Sequence, residues 1–303
     1  MVVVKPNPLT AASLISTNAV ETVTPWNAAN DYAVGDKVRR DTTNRIYENV
    51  IAGIDAVTPE VAELAEIPRW VDIGPTNKYA VLDEQVGTTT KATSPLTFKV
   101  KTGTCTSVAL FGIKNAHTAD VVVQNGILGP VVYTKTVTLD ATIINDWFDY
   151  FFELSVPKPD LVITDIPPYF DAYVTVTLTG VSGATVECGV FLAGLNYDLG
   201  ATQYGATAGI TDYSRKDTDD FGNATFVRRA YSKRMNVKLT VDNTKLNKIQ
   251  YVLAELRATP SAWLGASVPG FDPLTVYGFY KDFTIEVEYA NQSRCDLEIE
   301  GLI

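Results

Sequence analysis

From about residue 96 onward, apolar and polar positions alternate. Val174, Val176 and Leu178 are separated by Thr175, Thr177 and Thr179, and Val186, Cys188, Val190 and Leu192 keep the same two-residue period. Val237, Leu239 and Val241 repeat it. Phe283, Ile285, Val287 and Tyr289 alternate with Thr284, Glu286 and Glu288, and Cys295, Leu297 and Ile299 with Asp296, Glu298 and Glu300. Successive side chains of a strand point to opposite faces, so this pattern predicts half-buried antiparallel strands. Many such runs, punctuated by Gly and Pro, predict a mainly β chain of antiparallel sandwich or jelly-roll-like units.

One stretch changes period. Leu246, Ile249, Leu253 and Leu256 fall on a single helical stripe, which predicts a helix over about 244–257 packed across a sheet. Asn243 or Thr244 is placed to cap its start, and Pro260 lies just beyond its end. A shorter acidic helix is expected around residues 58–66, with Pro59 at its first position. Turn residues at Gly74, Pro75 and Asn77, followed by a small, polar stretch over 87–95, mark a first boundary. A Gly-, Tyr- and Asp-rich run over 194–224 marks a softer one, as a long loop or an inter-domain crossing. The expected organisation is a small N-terminal module in 1–85, a β-sandwich in 86–200 and a β-rich unit with one helix in 201–303. The last two are either separate or continuous.

Composition narrows the function. With 303 residues, 46% of them hydrophobic, the chain can bury a large core without disulfides or metals. It carries 25 basic and 35 acidic residues, a net charge of −10, which disfavours nucleic acid or an anionic membrane as partner. Cys105, Cys188 and Cys295 are odd in number and far apart, so a reducing cytosol is the expected place of synthesis. The Pro-broken start resembles no signal peptide, and no run of 18 apolar residues predicts membrane insertion.

Candidate chemistry is sparse. The single histidine, His117, is read as a turn residue between strands rather than a catalytic base. Asp212, Asp217, Asp219 and Asp220 cluster before Gly222, but Arg215 and Lys216 interrupt them and the closing Glu of a calcium loop is missing. The glutamate pairs 286/288 and 298/300 belong to the solvent faces of predicted strands. No phosphate-cradling loop or dinucleotide fingerprint occurs. The expectation is a protein without catalytic residues, metal or cofactor. Acids at Asp217, Asp219 and Asp220 lie close to bases at Arg215, Arg228 and Arg229, a mixture suited to contacts between identical subunits.

Two segments carry resemblances. Trp26, then Tyr32-Ala-Val-Gly35-Asp36-Lys-Val38, then Tyr47 and Trp70, resembles the small chitin-binding-type carbohydrate-binding module of families five and twelve, over about residues 24–73. That resemblance implies a small β module in which Trp26, Tyr32, Tyr47 and Trp70 are candidates for stacking on sugar rings, and a host surface glycan as a possible partner class. The stretch between Tyr47 and Trp70 is longer and more acidic than the compact pattern.

The second resemblance covers most of residues 74–303. Gly74-Pro-Thr-Asn77-Lys-Tyr-Ala80-Val-Leu-Asp83, Asp212-Tyr-Ser-Arg-Lys-Asp217, Phe226-Val-Arg-Arg-Ala230 and the ending Cys295-Asp-Leu-Glu-Ile-Glu300-Gly-Leu-Ile303 resemble segments of tailed-bacteriophage virion proteins. The similarity is to structural proteins of the tail tip or baseplate, of the distal-tail type. It implies a non-enzymatic subunit of the virion tail, assembled in the host cytoplasm. The implied partners are copies of itself in a symmetric assembly and other phage tail proteins. The rival expectation is a carbohydrate- or receptor-binding tail fibre protein that uses the N-terminal aromatics.

Overall fold

The computed structural model describes all residues except 143, 145, 219, 220, 267 and 269. The chain is mainly β, with 47% of residues in strands against 11% in helices, and its sheets are antiparallel, one of them curled into a half-barrel. A ten-stranded sheet forms the backbone of the molecule. Its order is Leu161–Ile163, Ser107–Phe111, Val190–Asp198, Val2–Pro6, Ser261–Leu264, Thr275–Glu286, Gln292–Gly301, Tyr231–Asp242 and Ala201–Thr202, with Thr207–Asp212 also on Tyr231–Asp242.

A five-stranded sheet, Val131–Thr138, Thr118–Asn125, Ala172–Thr179, Leu96–Lys101 and Leu14–Thr17, lies against one end of it. Phe98, Val121, Val174 and Val176 from the smaller sheet share a core with Val108, Leu110 and Phe191 from the larger. This is the expected sandwich, made by the alternating residues read from the sequence. At the other end the helix Leu246–Glu255 packs Ile249, Val252 and Leu253 onto Met235, Val237, Leu239, Trp263 and Leu297.

The helix begins as expected but is capped differently. Asp242, not Asn243 or Thr244, accepts from the Thr244 backbone N–H at 3.0 Å, while the Asn243 side chain donates to the carbonyls of Tyr289 and Ala290. The acidic helix around 58–66 shortens to Pro59–Ala62, with Pro at its start. The run over 194–224 is not a long loop: it supplies the end of Val190–Asp198 and the strands Ala201–Thr202, Thr207–Asp212 and Arg215–Thr218.

Hydrogen bonding crosses the expected limits at 85 and 200. Val2–Pro6 pairs with Val190–Asp198 on one side and Ser261–Leu264 on the other, so the first strand ties both later regions together. A Cβ at position 194 would collide with the Lys5 carbonyl oxygen, so this close pairing requires Gly194. The small N-terminal module is therefore an insertion after Leu14–Thr17. It has its own three-stranded sheet, Lys37–Arg40, Arg45–Asn49 and Trp70–Pro75, and its own core of Tyr32, Val38, Tyr47, Ala62 and Trp70. The Gly74–Asp83 segment joins it to the body: Asn77 donates to the Val20 and Lys91 carbonyls, and Glu21 accepts from the N–H groups of Asn77 and Lys78.

Candidate functional site

Burial decides the role of the four N-terminal aromatics. Trp70 is fully buried, and Tyr32 and Tyr47 are 7% and 3% exposed. The Tyr32 ring meets Trp70 edge-to-face at 5.1 Å, and the Trp70 indole N–H donates to Asp55 at 3.3 Å. A ring that stacks on a sugar must keep one face open to solvent, so these three are corrected from sugar platform to module core. Trp26 is half-buried at the edge of the same core, and the Arg40 guanidinium sits 4.9 Å from its ring centre. Glu60 holds that guanidinium through two hydrogen bonds at 2.8 and 2.9 Å, so part of the ring is occupied by Arg40.

The charged candidates fall on a projecting hairpin. Arg215–Thr218 pairs with Ala224–Val227, and Arg215 donates to Asp217 at 2.5 Å within its own strand. Arg228 and Arg229 are exposed just beyond the hairpin, where the Arg229 backbone N–H donates to Ser214 at 3.0 Å. Hydrogen bonds from Ser214, with the Arg228 charge nearby, hold the Asp212 carboxyl below its usual range. Asp219 and Asp220 lie outside the described residues. Phe221 and Phe226 add exposed rings, at 91% and 73%. The structure thus brings Arg215, Asp217, Arg228 and Arg229 to one exposed element, with none of them in the N-terminal module's core.

A second protrusion escaped the sequence reading. The described residues of 140–157 form an arm that carries the helix Trp147–Phe152, five of whose six residues are aromatic. Asp146 caps it by accepting from the Asp149 backbone N–H at 2.9 Å. Trp147, Phe148, Tyr150, Phe151, Phe152 and Leu154 are between 62% and 83% exposed and touch mainly one another. The arm's stem is fixed. Ala141 donates to the Val156 carbonyl at 2.8 Å, Lys158 to the Leu139 carbonyl at 3.1 Å, and Asp140 accepts from the Thr142 N–H and the Ser155 hydroxyl. The density of rings between Asp146 and Glu153 is the signal that a composition scan could have found.

Between the foot of the arm and the foot of the hairpin lies a cleft of about 720 Å³. Leu139 and Leu161 line it from the arm's side, Ile210 and Tyr231 from the strands that lead into and out of the hairpin, and Leu264 and Phe271 from a third segment. Its walls are mostly apolar. Its charges are paired: Lys135 with Asp165, Lys158 with Asp272 and Lys233 with Asp160.

Elsewhere the reactive groups are quiet. All three cysteines are buried, and burial pushes Cys188 up to about 12 and Cys295 up to about 11. A thiol kept protonated is a poor nucleophile. His117 is exposed at the start of its strand, its N–H donating to the Thr179 carbonyl at 2.8 Å. Among the described residues, no three His, Cys, Asp or Glu side chains gather where a metal could sit, and no helix is long and apolar enough to cross a membrane. Against known proteins, no family profile matches the chain and no curated protein matches it either.

Proposed function

We propose that this protein is a non-enzymatic structural subunit of a tailed-phage virion, at the distal tail or baseplate, where it positions neighbouring tail or receptor-binding proteins. The observation that supports assembly over catalysis is the surface. A well-packed β scaffold displays an aromatic arm and a Phe-bearing hairpin in open solvent, and exposed apolar protrusions of that kind mark protein–protein contacts. Placement in the tail rests on the sequence segments 74–83, 212–217, 226–230 and 295–303. They lie at the junction to the small module, along the hairpin and in the last strand of the ten-stranded sheet. In this reading the action is positional: interfaces of moderate size, repeated by symmetry, hold partners in register.

Gold-labelled antibody against the protein, on intact particles viewed by negative-stain electron microscopy, tests this directly. Label at the free tail end is expected. Label on the head or collar would remove the tail-tip station. A bare particle, with the epitope accessible on free protein, would remove the virion assignment altogether.

A further inference from the structure

The aromatic arm and the 720 Å³ cleft belong to the same chain, but only the arm's stem, at Ala141 and Pro157, reaches the cleft wall. No described residue of 142–156 lines the cleft, and the hydrogen-bonded stem aims the arm into solvent. We propose that the arm of one copy docks in the cleft of the next, so that identical chains associate head to tail. The inference deepens the assembly reading above and rests on it, naming the partner as a second copy of this chain.

Two observations single out that occupant. The first is shape and chemistry: a knob of five rings and a leucine suits a cleft whose lining includes Leu139, Leu161, Ile210 and Phe271 and whose charged side chains are already paired with one another. The second is area. Five rings of about 150–250 Å² each, roughly two-thirds exposed, offer on the order of 600 Å², close to the roughly 800 Å² per partner of a stable interface. Knob and hole are distinct surface patches, so a one-way contact between copies is heterologous, closing a ring if the rotation between copies divides a full turn and extending as a filament if it does not.

Sedimentation velocity on the full chain over a concentration series reads the outcome. The unmodified chain is expected to exceed its 33.0 kDa monomer mass increasingly with concentration. An arm variant, Trp147→Ser with Phe148→Ser and Phe151→Ser, and a cleft variant, Ile210→Glu with Phe271→Glu, are each expected to stay monomeric. All five positions are more than half exposed, so both variants keep the fold, which circular dichroism checks. Mixed in equal amounts, the two variants retain one intact arm and one intact cleft, and are expected to form a species of twice the monomer mass and nothing larger. A monomeric unmodified chain, an arm variant that still associates, association that survives the cleft variant, or a mixture that stays monomeric would each overturn the proposal. Particle labelling is read separately, so a wrong station on the virion and a wrong interface give different failures.

Discussion

Among single residues, Trp70 has the clearest consequence. It is fully buried against Tyr32 in a core of only five residues and a half-buried neighbour, so the module has little else to hold it. Trp70→Ala is expected to cost about 3–5 kcal/mol and to unfold the insertion locally. Hydrogen exchange should show lost protection over residues 31–75 with the ten-stranded sheet unchanged. Loss across both would mean that insertion and body unfold as one. The thiols give a second test. Cys105, Cys188 and Cys295 are buried and their ionisation is raised by that burial, so an aromatic disulfide reagent at pH 8 should find none reactive in the native protein and three after unfolding. A reactive thiol in the folded state would contradict the packing. From sequence alone the N-terminal rings are candidates for stacking or for a small core, because both use the same residue types; only burial separates them.

The elements divide into those that hold the molecule together and those that do not. In the helix Leu246–Glu255, Leu253 is fully buried while Tyr251 is 72% exposed two positions away. Leu253→Ala should cost about 2–5 kcal/mol, whereas Tyr251→Ala should stay within roughly 0.5 kcal/mol. In the arm, Phe151→Ala and Phe152→Ala should likewise leave the urea-unfolding midpoint almost unchanged, because these rings contact solvent and one another rather than the core. A large loss from either would show that the arm folds back onto the body. The arm also explains why periodicity missed it: a six-residue helix with five aromatic residues and a single acid, Asp149, has no polar face against which a period could be read.

Across the whole molecule, charge sets the pH range of stability. Burial works against the Glu187 charge, but hydrogen bonds from Lys91 and Thr89 and the charges of Lys91 and Lys114 outweigh it, so its carboxyl sits below the usual value of 4.5. A hydrogen bond from the Gly200 backbone, aided by Lys245, lowers Asp198 below 3.8 despite partial burial. In that window the unfolded chain binds more protons than the native one, so stability is present above about pH 4.5 and is lost as pH falls through the folded values. At the alkaline end the sign reverses. The folded chain keeps the Cys188 proton to about 12 against an ordinary 9.0, so stability falls as pH rises from 9 through 12. Urea midpoints across pH should therefore trace a plateau with losses at both ends, and a midpoint still rising above pH 10 would refute the assignment. At neutral pH the net charge of −10 makes like copies repel, so association must rest on local apolar and oppositely charged contacts.

Local periodicity determined a great deal. The two-residue alternation of 172–179, 231–242 and 292–301 and the four-residue stripe of 246–256 became the strands and helix of the body, because each pattern buries one face only in its own geometry. What pairs with what was left to the tertiary structure. Val2–Pro6, with Lys5 and two nearby prolines, reads as a ragged start, yet it is a central strand because Gly194 lets it approach Val190–Asp198 while Ser261–Leu264 closes its other edge. Burial of Tyr32, Tyr47 and Trp70, exposure of the arm, and the cleft between segments about 70 residues apart in the chain follow from the same cause. Whether a side chain is core or surface depends on long-range neighbours, and a sequence pattern carries only the short-range ones.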